Sequence, residues 1–233
     1  MGIVFIDKQC YINSAFRSGR TIRQKEKSMG QYYSPYVQRG KTFKVFDNHV
    51  DGDWQGLKLM EHSWWRNQYV GNVINEIFYK KAHVCWVGDY YAEDDYRQAN
   101  CQDKEIVKEI GSTTWGNDGK PEPKRIKCTK ARSRSLTNYL LVNHTKHEFI
   151  NGNEYYEHNK VLEKWNDEEW FSCVNPLPLL TCSASHSGGS YYGINKEQCG
   201  IWFNDVLEVV EDWDEKSLLE KGYKKVMFEF KEE

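Results

Sequence analysis

The clearest rhythm of apolar and polar positions lies between residues 66 and 80. Val70, Val73, Ile74, Ile77 and Phe78 fall at i, i+3, i+4, i+7 and i+8, with Asn72, Asn75, Glu76 and Lys80 outside that stripe. This period predicts an amphipathic helix over about 66–80, with Ser63 or Asn67 as its cap. The rhythm then changes. Ala82-His-Val-Cys-Trp-Val-Gly88 is apolar on both faces, which predicts a central strand covered on both sides. A helix running directly into such a strand is the strongest structural unit in the sequence.

Shorter patterns surround it. Residues 31–37 and 42–47 are rich in strand formers, and Arg39-Gly40-Lys41 between them predicts a β-hairpin. Pro35 would put the first strand at an edge. A helix is expected over Asp103–Ile110, stopped by Gly111, and a loop over 115–135. Tyr139–Val142 and His147–Ile150 read as a second hairpin turning at Asn143-His144-Thr145-Lys146. Residues 159–171 read as helical, and Asn175-Pro-Leu-Pro-Leu-Leu180 as extended because residues before proline avoid the helical region. Trp202–Val210 is an expected strand, Asp214–Lys221 a short helix ending at Gly222, and Val226, Phe228 and Phe230 alternate as a last half-buried strand. Hairpins segregated from a few helices predict an α+β fold: a single domain, mostly antiparallel sheet with hairpins and two to four helices packed on it.

Charge divides the chain unevenly. Residues 1–28 carry Lys8, Arg17, Arg20, Arg23, Lys25 and Lys27 against Asp7 and Glu26, a net of +4, so the rest carries −6 of the overall −2. That segment also lacks apolar periodicity. It is expected to be a basic tail outside the fold, upstream of a natural start at Met29, with residues 29–233 forming the domain. An acidic body argues against a general nucleic-acid binder. No apolar run approaches the roughly 20 residues of a membrane span. Seven cysteines at irregular spacings read as reduced thiols, hence a cytoplasmic protein. Aromatics are the unusual component, 15% with nine Trp and fifteen Tyr. Such side chains serve cores, ligand walls and interfaces alike.

Several phrases are familiar together: Met29-Gly-Gln-Tyr-Tyr-x-Pro35, Gly56-Leu-Lys-Leu-Met-Glu-His62, Trp86-Val-Gly-Asp-Tyr90, Asn143-His-Thr-Lys146 and Pro176-Leu-Pro-Leu-Leu-Thr181. Over about 29–210 the chain resembles a group of uncharacterised proteins of Gram-positive bacteria and their phages. The resemblance implies a start at Met29 and no particular activity. Where that group is more glycine-rich after its Pro-Leu-Pro-Leu-Leu-Thr and carries an acidic residue, this chain has Cys182-Ser-Ala-Ser-His-Ser-Gly-Gly-Ser190.

Candidate ligand-binding residues fall in three places. Ser187, Gly188, Gly189 and Tyr191 form a loop with the ingredients of an anion cradle, since glycines let backbone N–H groups approach a phosphate; the bland reading is a surface loop. Asp89 and Tyr90 follow the expected central strand, where sheets place ligands and carboxylates, though Asp89 could simply close a turn. Glu61, His62, Trp64 and Trp65 precede the best helix and could wall an aromatic pocket with a polar handle, or staple the helix to the core. Cys173, Cys182, His186 and Cys199 are four donors that zinc could use, but no CxxC or HxxxH knuckle supports a metal, and no cofactor is predicted. His144 and His147, on or beside a turn, read as surface residues.

The basic run Lys120–Arg134 holds seven basic residues against Glu122, the one patch that could meet a nucleic-acid backbone; the alternative is a solvated, flexible loop. No nucleophile-elbow, zinc-protease or deaminase motif is present. The leading expectation is a non-enzymatic binding or interaction protein acting on a protein partner of bacterial or phage origin, without a membrane. The rival is a small nucleotide-binding enzyme or sequestering protein. It would use Gly188-Gly189 for phosphate, Tyr191 or Trp64 for stacking, and Asp89 as base or metal ligand.

Overall fold

The computed structural model describes residues 32–54, 58, 63–88, 124–183 and 196–230. The tail 1–28 and the expected helix 103–110 lie outside the described residues. So do the candidates Glu61, His62, Asp89, Tyr90, His186, Ser187, Gly188, Gly189 and Tyr191.

The fold is α+β. Its frame is a nine-stranded sheet built from β1 (Tyr33–Arg39), β2 (Thr42–Val50), β3 (Asp53–Trp54), β4 (Ala82–Gly88), β5 (Lys124–Cys128), β6 (Tyr139–Asn143), β7 (Glu148–Asn151), β10 (Val206–Glu211) and β11 (Lys224–Lys225). The order is β11-β7-β6-β10-β4-β1-β2-β3, with β5 also paired to β2. All ladders are antiparallel except β2–β5 and β7–β11. A second sheet holds only β8 (Val161–Trp165) and β9 (Glu168–Ser172). Four α-helices complete the described chain: α1 (Gln68–Glu76), α2 (Gly152–Asn159), α3 (Pro176–Thr181) and α4 (Glu215–Glu220).

The expected helix–strand unit forms the centre. Asn67 caps α1, its side-chain oxygen accepting from Val70 N at 3.0 Å. Val70, Val73, Ile74 and Ile77 are fully buried. Helix α1 ends at Glu76 rather than 80, because Tyr79 takes a positive φ of 50° and Phe78 bridges Val209 of β10. Asn72, outside the apolar stripe, is buried too; it donates to Gln68 O and Thr129 O and accepts from Thr129 N. Strand β4 is interior, flanked by β10 and β1, and Val84 and Trp86 are buried on one face while Cys85 and Val87 are buried on the other.

The principal core lies on one face of the sheet, under α1, α2 and α3, and includes Trp86, Trp202, Tyr69, Tyr155, Leu141, Ile150, Leu207 and Val209. A smaller core on the opposite face joins Leu140, Val142, Phe149 and Val210 to Leu218 of α4, with Tyr223 packed against it. Both hairpins read from sequence are present, with registers Tyr36↔Val45 and Leu141↔Ile150.

Five expectations are corrected. Strand β1 is interior, not an edge; Pro35 is tolerated because pairing with β2 begins at Tyr36, one residue beyond it. The helix expected over 159–171 does not form. Helix α2 stops at Asn159, and 161–172 is the β8–β9 hairpin, turned by Asn166 (φ 47°) and Asp167 (φ 65°), a left-handed pair suited to a two-residue connection. Asn175–Leu180 is not extended: α3 begins at Pro176, because prolines fit a first helical turn whose N–H groups have no partner anyway. Asn175 caps it by accepting from Leu177 N at 3.1 Å. The loop expected over 115–135 contains β5, with Lys124, Arg125 and Lys127 outward on the strand and Cys128 buried. Finally, Trp202–Asn204 form turns before β10 begins at Val206.

The last segment alternates as expected, Phe228 and Phe230 buried and Met227 and Glu229 exposed, but its ladder stops at Lys225. Asn159 replaces the missing ladder. Its buried side chain donates to Phe228 O at 3.0 Å and accepts from Phe230 N at 3.0 Å.

Candidate functional site

The described residues that precede two of the three expected site regions are hydrogen-bonded to each other. Strand β4 ends at Gly88, whose N–H donates to Ser183 Oγ at 3.4 Å, and Ser183 N donates to Trp86 O at 2.8 Å. Gly88, which precedes Asp89 in the sequence, and Ser183, which precedes the 184–195 segment, are therefore hydrogen-bonded neighbours. Cys182 and Gly200, on either side of that segment in the sequence, also share one carbonyl. Leu179 O accepts from Cys182 Sγ at 3.1 Å and from Gly200 N at 2.8 Å. These contacts arise because α3 packs on β4 and turns its C-terminus towards the strand end.

The third region enters elsewhere. Trp64 bridges Val174, and Ser63 O accepts from Asn175 N at 2.5 Å, both at the N-terminal end of α3. Six helical residues, about 9 Å at 1.5 Å per residue, separate that end from Ser183. Trp65 is a core residue. It stacks on Tyr155 at 5.9 Å and tilts against Tyr156 at 5.3 Å, and its Nε1 donates to Thr137 Oγ1 at 3.1 Å. Around it, Ser63 Oγ, Asn175 Nδ2 and Tyr155 Oη are buried with no hydrogen-bond partner among the described residues. Burial pushes the Tyr155 phenol well above its usual range, and the neighbouring Cys173 thiol is pushed up to about 12 by burial. Cys173, Cys182 and Cys199 are all buried, and no cluster of three or more His, Cys, Asp or Glu residues suited to a metal occurs among the described residues.

The basic run is partly absorbed into the fold. The Arg134 guanidinium lies 3.9 Å from the Phe78 ring centre and 5.1 Å from that of Tyr139, whose hydroxyl accepts a hydrogen bond from it. Glu76, the last residue of α1, binds Arg39 of β1 at 2.5 Å and Lys44 of β2 at 2.6 Å. Burial alone would raise the Glu76 carboxyl, but these two cations outweigh it and hold the group below its usual range.

His144 is not a surface residue; only 13% of its side chain is exposed. It sits at the start of the β6–β7 turn, where Asn143 Oδ1 accepts from Thr145 N and Lys146 N. Its Nε2 is 2.9 Å from Glu208 Oε2 of β10, and its Nδ1 is 2.7 Å from the Tyr223 hydroxyl beyond α4. His147, exposed as expected, stacks on the Tyr223 ring at 4.8 Å. Sequence separations of 64 and 79 residues hide this grouping from any local motif.

The β8–β9 hairpin presents a different surface. Leu162 and Phe171 are cross-strand partners, 54% and 53% exposed, with Val161 exposed beside them. Lys160 Nζ lies 4.8 Å from the Phe171 ring centre. Glu163, Asp167, Glu168 and Glu169 are exposed on the same hairpin, as is Lys164, which pairs with Glu169 at 3.4 Å. No described helix is long and apolar enough to cross a membrane. Compared with known proteins, the chain matches no family model, no curated protein and no solved structure.

Proposed function

We propose that this chain is a binding protein that engages a protein partner through the β8–β9 hairpin. The carrying observation is the exposed Leu162–Phe171 pair on a two-stranded sheet whose described strands pair only with each other. A lone two-stranded hairpin is marginal in water, and clustered exposed apolar side chains mark contact surfaces. A partner strand added to such an edge gains backbone hydrogen bonds, with side chains supplying selectivity. The hairpin's exposed carboxylates, Glu163, Asp167, Glu168 and Glu169, outnumber its one lysine, Lys164, and favour an apolar partner segment with a basic rim. The resemblance to bacterial and phage proteins makes that partner bacterial or phage in this reading.

The test compares the full chain with a Leu162→Lys, Phe171→Lys double variant. Proteins captured by each are identified by mass spectrometry, and the specific one is purified and titrated. The expected result is a salt-sensitive complex with the wild type that the variant loses at unchanged melting temperature. Equal binding by both chains overturns the proposal. A wild-type dimer abolished by the double variant assigns the face to a second copy of this chain instead.

A second reading, a nucleotide-like ligand, is favoured by the hydrogen bond between Gly88 and Ser183, the described residues nearest in sequence to Asp89 and to the Gly188-Gly189 segment. In that reading the glycine loop takes phosphate and Asp89 is base or metal ligand. Tyr191 stacks on the base, since Trp64 enters at the far end of α3. A thermal-shift screen of nucleotides, with and without divalent metal, tests it, because a ligand bound only to the native state raises the melting temperature. A flat screen removes this reading.

A further inference from the structure

We propose that Tyr223 is an activated nucleophile for an activated acyl ester, with His144 as its base and Glu208 as the residue that positions the base. The proposal is independent of the hairpin and of the glycine loop. It rests on three elements that meet on the sheet face covered by α4. The β6–β7 turn supplies His144, β10 supplies Glu208, and the segment after α4 supplies Tyr223.

The hydrogen-bond chemistry leaves one arrangement at neutral pH. An ionised carboxylate accepts and cannot donate, so the Nε2 facing Glu208 at 2.9 Å carries the imidazole proton. Nδ1 is then the acceptor, and the Tyr223 hydroxyl donates to it at 2.7 Å. A hydroxyl on a base that is itself oriented by a third group is the arrangement of an activated nucleophile. Burial holds His144 below its ordinary value, Lys81 and His147 add to this, and the Glu208 hydrogen bond opposes it. The imidazole is therefore neutral and able to accept a proton above mildly acidic pH.

In the step, Tyr223 Oη attacks the acyl carbon and a new O–C ester bond forms. The hydroxyl proton passes to His144 Nδ1, the bond to the leaving oxygen breaks, and that oxygen takes the proton from Nδ1.

The molecule contains its own control. Tyr79 is more exposed than Tyr223, but its hydroxyl donates to a carboxylate, Asp214, at 2.9 Å. Desolvation and that hydrogen bond hold the Tyr79 phenol above its usual range, and among the described residues its hydroxyl is bonded to no imidazole.

The experiment exposes the full chain to p-nitrophenyl acetate and follows acetylation of Tyr223 and Tyr79 by peptide mass spectrometry across pH. Tyr223 is expected to react faster than Tyr79, with a rate that falls as His144 is protonated at acid pH. In folded His144→Gln the Tyr223 rate is expected to drop about 100-fold, the low end for general-base assistance, and to lose the acid limb. Glu208→Gln is expected to give a smaller drop and a displaced limb, a readout that loss of a merely structural contact would not move. Tyr223 acetylated no faster than Tyr79 overturns the proposal. An unchanged rate and limb in His144→Gln does the same. If that variant does not fold, the wild-type pH profile of Tyr223 relative to Tyr79 decides the matter by itself.

Discussion

The two hairpins β6–β7 and β8–β9 have similar length and opposite fates. In the first, Leu141 and Ile150 face the principal core and Leu140, Val142 and Phe149 the smaller one, all fully buried. In the second, the equivalent cross-strand pair Leu162 and Phe171 stands in solvent. The turns differ as well. Asn143 pins the first through two side-chain hydrogen bonds, whereas Asn166 and Asp167 both carry left-handed backbone. Burial makes the first hairpin part of the folding unit. The second holds its shape by turn geometry, the Lys160 contact to Phe171 and a Ser172 hydroxyl donating to Glu163. Stability and recognition are thereby assigned to different hairpins.

The sharpest way to break this contrast is Ile150→Ala, which removes a fully buried side chain from the first hairpin. The expected cost is about 2–5 kcal/mol in chemical denaturation. Phe171→Ala in the second hairpin should stay within about 0.5 kcal/mol of wild type. Comparable losses would mean that the two hairpins belong to one cooperative unit.

Gly152→Ala comes next. A Cβ there would meet Leu136 O at 2.0 Å and Tyr139 O at 2.9 Å, backbone atoms that cannot swing away. A loss of about 1–3 kcal/mol is expected, as for overpacking elsewhere. A melting temperature equal to wild type would show that the 136–139 segment yields.

The His144 contact should appear as a pH effect. Its folded value lies below the ordinary imidazole value, so the unfolded chain binds the proton first. Its contribution is complete above about pH 6.5 and is lost as pH falls through the folded value. Stability measured from pH 7.5 downward should decline over that window in wild type and decline less in His144→Gln. Asp47, Glu76 and Glu215 are held low and contribute a separate loss, beginning below about pH 5. A His144→Gln profile parallel to wild type at pH 6–7 would show that the imidazole is not the source.

The smallest effect belongs to the second turn. Asp167→Gly, at φ 65°, should stabilise β8–β9 by about 0.4–1 kcal/mol at most, read as slower amide exchange in that hairpin alone. Slower exchange across β6–β7 as well would couple the two.

How much was legible depended on where each residue's partner lay. The stripe from Val70 to Ile77 and the run from Ala82 to Gly88 declared themselves, because a helix face and a doubly covered strand are written in consecutive positions. The Arg39-Gly40-Lys41 and Asn143–Lys146 turns were legible for the same reason. Residues 159–171 misled because their polar content suits either state, and the left-handed Asn166-Asp167 pair, not the period, decides it. Pro176 and Pro178 misled because their effect reverses between a helix interior and a first turn. Among the sites, the sequence leaves Trp65 as a pocket wall or as a staple on the core, and its buried stacking on Tyr155 matches the staple. His144 was passed over although its partners, Glu208 and Tyr223, make it the most connected imidazole described.

The sequence by itself determined the α+β class, the central helix–strand pair and the first two hairpins, since short-range periodicity and turn chemistry suffice for those. Only the tertiary structure decided which hairpin would be buried, that β1 would be interior, and that His144, Glu208 and Tyr223 would meet. Those outcomes depend on contacts between positions far apart in the chain. Such contacts form because burying apolar area from all the elements together outweighs the entropy of ordering them, and no local window of sequence contains that balance.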